Sequence, residues 1–116
     1  MFLLSKEKKL SLNTPVIMGI LNTTPDSFYG KSRINSEQQA IDEAGSMLQA
    51  GASMIDIGGQ STRPGSERVS FSEELDRVAP VVRAVRKAFP EAWLSVDTYY
   101  SSVALACIGL GIDMIN

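Results

Sequence analysis

The 116-residue sequence predicts an α/β fold, a (β/α)8 TIM barrel of which the chain carries about the first four strands and three helices. Short apolar runs alternate with segments of helical periodicity, the pattern of a parallel sheet with right-handed crossovers. Each apolar run ends in polar residues: Asn22, Gly58-Gly59, Asp97-Thr98 and Asn116. The stretch Gly51-Ala52-Ser53-Met54-Ile55-Asp56 has an echo in Gly111-Ile112-Asp113-Met114-Ile115-Asn116, each a helix-stopping glycine that leads into a strand. An open doubly wound sheet gathers function at one switch point, whereas a barrel brings every strand end to one mouth. Polar ends on all four runs favour the barrel.

The first strand is PVIMGILN (15–22), apolar and bounded by Pro15 and a polar loop, as expected of a strand buried on both faces. Ser36 and Gln39 have capping-box spacing, so the first helix is expected to start there. Its apolar face is Ala40, Ile41, Ala44, Met47 and Leu48, and Gly51 stops it. SMIDIGG (53–59) is the second strand. Ser70 and Glu73 box the start of the second helix, whose set Leu75, Val78, Ala79, Val82, Val85 and Phe89 keeps the helical period up to Pro90. Pro80 is expected to bend it, because an interior proline loses a hydrogen bond and costs ~3 kcal/mol. WLSVDT (93–98), the helix SSVALACIGLG (101–111) and IDMIN (112–116) complete the series.

Composition excludes several functions. With 44% hydrophobic and 21% charged residues the chain has the profile of one globular unit, at most one domain, and residues 1–116 are assigned as the N-terminal half of a single barrel domain. A net charge of -2 argues against a nucleic-acid partner, which needs a basic face. Cys107 is the single cysteine, so a disulfide framework is excluded within these residues and a reducing compartment, the cytoplasm, is expected. The apolar run before Lys6, Lys8 and Lys9 is too short for a cleaved signal, and no stretch approaches ~18 apolar residues, so no membrane association is expected. The sequence contains no histidine, which removes Ser-His-Asp and Cys-His catalysis and histidine metal sites from this chain.

With a strand period of two, Met18, Ile20 and Asn22 share a face, as do Asp56 with Gly58, Ser95 with Asp97, and Met114 with Asn116. If these faces point into the barrel, Asn22, Asp97 and Asn116 converge near its top. Such a set of amides and a carboxylate can bind a polar heterocycle or complete the coordination of a metal. Asp56, mid-strand, reads as a structural hydrogen-bonding partner, and Cys107 as packing.

MGILNTTPDSF, IDIGGQSTRPG and SVDT, in this order and spacing, resemble the dihydropteroate synthases, the folate-pathway enzymes that sulfonamides inhibit. The resemblance runs from about Pro15 to Asn116. It implies a pterin-binding TIM barrel that condenses p-aminobenzoate with 6-hydroxymethyl-7,8-dihydropterin diphosphate, using Mg2+ and releasing diphosphate, and that works as a homodimer. The family's remaining pterin-site residues come from the second half of its barrel, beyond Asn116.

The resemblance assigns roles residue by residue. Asn22 becomes a ligand of Mg2+ and diphosphate. Asp97 hydrogen-bonds the pterin and favours the positive charge that develops on it, and Asn116 also contacts the pterin. Thr62 and Arg63 bind substrate oxygens, with Pro64 beside them; the planar fork of arginine suits diphosphate. Pro25 and Phe28 wall the p-aminobenzoate site, and Asp26 holds the loop or the cationic intermediate. The catalytic set is therefore Asp26, Arg63 and Asp97. Where the family runs Ser-Asp-Gly-Gly after the phenylalanine, this chain has Tyr29-Gly30-Lys31-Ser32-Arg33, and Gln60 stands where Glu is common.

Two alternatives remain at this level: a pterin-binding methyltransferase domain, which shares the barrel and an SVDT-like strand end but needs a corrinoid partner, and a non-catalytic fragment. The TTPDSF and STRPG loops favour the synthase. A half barrel alone would expose two sheet edges and the apolar face of Met18, Ile20 and Met114, so isolated residues 1–116 are expected to associate and to lack activity.

Overall fold

The structure, a computed structural model, describes residues 1–23, 33–60 and 68–116, with first-helix side chains from Ser36 onward. Two strands that the sequence reading did not anticipate come first. β1 (Phe2–Ser5) and β2 (Lys8–Ser11) form an antiparallel hairpin in the register Ser5↔Lys8. Its two-residue loop places Lys6 at φ 54°, a left-handed position that glycine or asparagine usually marks in a sequence.

The main sheet is parallel and ordered β3 (Met18–Asn22), β4 (Met54–Gly58), β5 (Trp93–Asp97) and β6 (Met114–Ile115). Between these strands lie α1 (Arg33–Gln49), α2 (Phe71–Ala88) and α3 (Ser101–Gly109). Strands adjacent in sequence are adjacent in the sheet, without the reversal that defines a doubly wound fold.

The core confirms this. Leu21, Ile55, Ile57, Leu94 and Val96 point from one face of the sheet into a cluster with Ala40 and Ala44 of α1, Val78, Val82 and Val85 of α2, and Val103 and Cys107 of α3. Full burial of each large aliphatic side chain contributes ~1.5–3 kcal/mol relative to exposure. The other face carries Met18, Ile20, Asp56, Ser95 and Asp97. Ile20 there is 62% exposed beside fully buried Leu21. Helices on one side and an inward face on the other are the arrangement of a barrel wall.

The echo seen in the sequence is a repeated structural unit. Gly51 (φ 114°) and Gly111 (φ 107°) both end a helix in the left-handed conformation. In each the glycine N–H donates three residues back, to Leu48 O or Ile108 O, and the next N–H donates five back, to Met47 O or Cys107 O. This double bond is the Schellman motif. The chain then enters the sheet through Ser53 N–H to Ile17 O and Asp113 N–H to Leu94 O.

Three local expectations are corrected. The first helix begins at Arg33, so Ser36 lies within it, and Gln39 donates to Glu43 one turn on at 2.8 Å instead of completing a capping box. The first strand starts at Met18 rather than Pro15, and the last is confined to Met114–Ile115, although Asn116 N–H continues its ladder to Val96 O at 2.8 Å. At α2 the Ser70 half of the expected box forms, its Oγ accepting from Glu73 N–H at 3.2 Å, while the Glu73 carboxylate accepts from Arg77 at 2.9 Å. That helix runs unbroken through buried Pro80.

Candidate active site

Strand register builds the site. Ile20, Asp56, Ser95 and Met114 are paired across the sheet, and the next inward row up is Asn22, Gly58 and Asp97. Asn116 follows Met114 by two and joins that upper row. Three residues singled out from the sequence, Asn22, Asp97 and Asn116, therefore stand at the carboxyl ends of three strands on one face, where parallel barrels hold their active sites. Gly58 stands between Asn22 and Asp97, and a Cβ built there would lie 3.6 Å from the Asp97 Cβ. The absent side chain leaves the row open at its middle.

Beneath lies a buried polar pair. Asp56 is 3% exposed and Ser95 is fully buried. Ser95 Oγ donates to Asp56 Oδ1 at 2.5 Å, and Asn116 Nδ2 donates to Asp56 Oδ2 at 3.3 Å. Burying a carboxylate is costly unless its oxygens are satisfied, and these bonds satisfy both. The Asp97 carboxyl is raised above its ordinary value of 3.8, first by partial desolvation and then by the negative charge of Asp56.

The segments that follow the strands are tied to this frame. Thr23 gives its N–H (2.8 Å) and its hydroxyl (3.0 Å) to Gly58 O. Gln60 Oε1 accepts from Val69 N–H at 2.9 Å, and the Tyr100 hydroxyl donates to Val69 O at 2.5 Å. Arg68 stacks on the Tyr99 ring at 3.8 Å. Thr98, next to Asp97, donates to Glu74 Oε2 at 2.5 Å, and Glu74 is only 1% exposed. Close approach of α2 makes this possible: a Cβ on Gly59 would come within 2.9 Å of Val78 Cγ2. Glu74, Thr98 and Tyr100 are framework residues that sequence reasoning missed. Of the other expected site residues, Pro25, Asp26, Phe28, Thr62, Arg63 and Pro64 lie outside the described residues.

Among the described residues no group of three or more His, Cys, Asp or Glu side chains is placed to hold a metal ion. Asn22 offers one amide oxygen, a hard donor. That fits Mg2+, which keeps several waters and takes only one or two protein oxygens beside substrate phosphates. Among the described residues no helix is long and apolar enough to cross a membrane.

The family model described as "Pterin binding enzyme" matches residues 18–116. Dihydropteroate synthase of Haemophilus influenzae is 47% identical over 116 residues, covering 100% of this chain and 42% of the relative. The structure of the Yersinia pestis dihydropteroate synthase in a sulfonamide drug complex is 49% identical with a TM-score of 0.87, covering 100% of this chain and 42% of that one. The Xanthomonas albilineans dihydropteroate synthase with 4-aminobenzoic acid is 37% identical with a TM-score of 0.88, covering 99% and 42%. The chain thus spans about two fifths of the length of these relatives. Those relatives are TIM-barrel enzymes, and the parallel sheet and three helices of this chain match part of that fold. This chain belongs to the pterin-binding enzyme family.

Proposed function

We propose that, within its full-length protein, this chain builds one side of a dihydropteroate synthase site, joining p-aminobenzoate to 6-hydroxymethyl-7,8-dihydropterin diphosphate to give 7,8-dihydropteroate and diphosphate. The observation that carries this reading is the in-register row Asn22, Gly58, Asp97 and Asn116, with the buried Asp56–Ser95 pair beneath it. A carboxylate and amides on a barrel mouth suit the polar edge of a pterin.

In this reading Asp97 and Asn116 orient the pterin. The bond from its methylene carbon to the diphosphate oxygen breaks with both electrons leaving on oxygen, and positive charge spreads into the ring, where the Asp97 carboxylate stabilises it. The amine nitrogen of p-aminobenzoate then forms the new carbon–nitrogen bond and gives up a proton. An arylamine keeps its lone pair at neutral pH, so no strong base is needed, in keeping with a chain that lacks histidine. Arg63 and Thr62 bind oxygens of the departing diphosphate. Pro25, Phe28 and Pro64 border the arylamine, and Asp26 supports the cationic stage. Mg2+, when bound, supplies positive charge to the leaving group, and Asn22 is the residue here that would hold it. The reading includes a homodimer in the cytoplasm.

The test is dihydropteroate formation by the full-length protein. We expect product with p-aminobenzoate, a raised Mg2+ requirement in Asn22→Ala, and turnover at least ~100-fold lower in Arg63→Ala. Methyl transfer to a corrinoid without dihydropteroate formation would overturn the reading in favour of the methyltransferase.

A further inference from the structure

We propose that Asp56 is a positioning residue that fixes the Asn116 amide with its nitrogen inward, so that the barrel mouth presents hydrogen-bond acceptors and selects heterocycles with a donor-bearing edge. This rests on the reading of the upper row as a pterin site and says what that row discriminates.

An ionised carboxylate only accepts hydrogen bonds, whereas a carboxamide has one accepting and one donating end. Asn116 meets Asp56 Oδ2 through its nitrogen at 3.3 Å. The reverse orientation would set the amide oxygen against a buried negative charge. Asp56 cannot turn away, because Ser95 holds its other oxygen at 2.5 Å and both residues are buried. The backbone of Asn116 is equally fixed, its N–H bonded to Val96 O at 2.8 Å. With the nitrogen committed inward, the Asn116 oxygen faces the other way, towards the mouth, where the Asp97 carboxylate is a second acceptor. A ring edge bearing N–H groups is complemented by this pair; a ring edge bearing carbonyl oxygens is repelled. The selectivity thus originates one layer below the residues that would touch the ligand.

The test uses the full-length protein and two probes, 6-hydroxymethylpterin and its lumazine analogue, in which a carbonyl replaces the ring amino group. Calorimetry on the unaltered protein should show the pterin bound at least ~tenfold tighter, the scale of one hydrogen bond made or opposed. Asp56→Asn can face Asn116 with either end of its own amide, so discrimination should fall to within about threefold. The exchange Asp56→Asn with Asn116→Asp should restore it, because the inner group then donates and the outer oxygens accept. A merely structural role would weaken both ligands alike. Discrimination retained in Asp56→Asn, or absent from an unaltered protein that binds the pterin, overturns the inference. If Asp56→Asn does not fold, the Asn116 side-chain amide protons of the unaltered protein decide. One proton displaced downfield by the carboxylate supports the orientation, and shifts like those of exposed asparagines overturn it. If the unaltered protein binds neither probe, the functional reading fails, and the same resonances decide the orientation independently.

Discussion

Lys8 and Asp113 meet at 2.6 Å across 105 residues of sequence, joining the second strand of the hairpin to the start of β6. Asp113 is the hub of that end of the sheet. It also accepts from Ser5 Oγ at 2.6 Å, Leu94 N–H at 2.9 Å and Arg86 Nη2 at 2.8 Å. Lys8 reaches on to Ala92 O at 3.0 Å, and Arg86 to Gly111 O. These contacts dock the hairpin on the amino-terminal ends of β5 and β6, opposite the polar row.

Removing the hub should therefore be costly. The Asp113 side chain is 2% exposed, and Asp113→Ala would take from Lys8 and Arg86 their only carboxylate among the described residues and leave the Leu94 N–H without its acceptor, so we expect a loss of about 3 kcal/mol in the full-length protein by denaturant unfolding. A loss below about 1 kcal/mol would show that packing alone holds the hairpin.

The same residue gives an acid dependence. Burial by itself pushes the Asp113 carboxyl up, but the bonds from Lys8, Ser5 and Leu94 N–H, with the charge of Lys8, outweigh it and hold the group below its ordinary value of 3.8. A carboxyl lowered on folding adds stability that is complete above the unfolded value and is lost as pH falls through the folded one. Stability should decline below about pH 4, and less steeply in Asp113→Ala; identical acid profiles would contradict this.

Gly59 and Gly109 form a contrasting pair. A Cβ at Gly59 would lie 2.9 Å from Val78 Cγ2 and 3.3 Å from Glu74 O, whereas one at Gly109 meets nothing within 4 Å. Gly59→Ala should destabilise by about 1–3 kcal/mol, and Gly109→Ala, at the end of α3, should be neutral or stabilising by up to about 1 kcal/mol. Thermal melts that rank the two the other way would refute the close approach of α2 to β4.

Cys107 should be chemically silent. Its thiol is fully buried and pushed up to about 11, first by desolvation and then by the charge of Glu74. At pH 8 alkylation should wait for unfolding. Rapid labelling of the folded protein would place α3 elsewhere.

Much of this frame was legible in the sequence because short-range rules wrote it. Period two, with the strand faces turned into a barrel, puts Asn22, Asp97 and Asn116 on one face, and Gly51 and Gly111 announce two identical helix ends. The hairpin escaped notice because Lys6 occupies a left-handed position without the usual glycine. Ser36 misled because capping-box spacing also occurs inside a helix. The partners of the Asp56, Glu74 and Asp113 side chains lie 19 to 108 residues away, and no local pattern encodes such pairs. The loop residues Asp26, Thr62 and Arg63 came from family resemblance alone.

The most direct test of the central claim, that this row of strand ends is a pterin-condensing site, is the kcat/KM for dihydropteroate formation in Asp97→Asn of the full-length protein. The change is isosteric and falls on an exposed strand end, so folding should be preserved. We expect kcat/KM to fall by ~100- to 1,000-fold, with the loss in kcat exceeding the rise in KM, as for an interaction that strengthens while positive charge develops. A near-normal rate in Asp97→Asn, from a protein that otherwise makes dihydropteroate, would contradict the account.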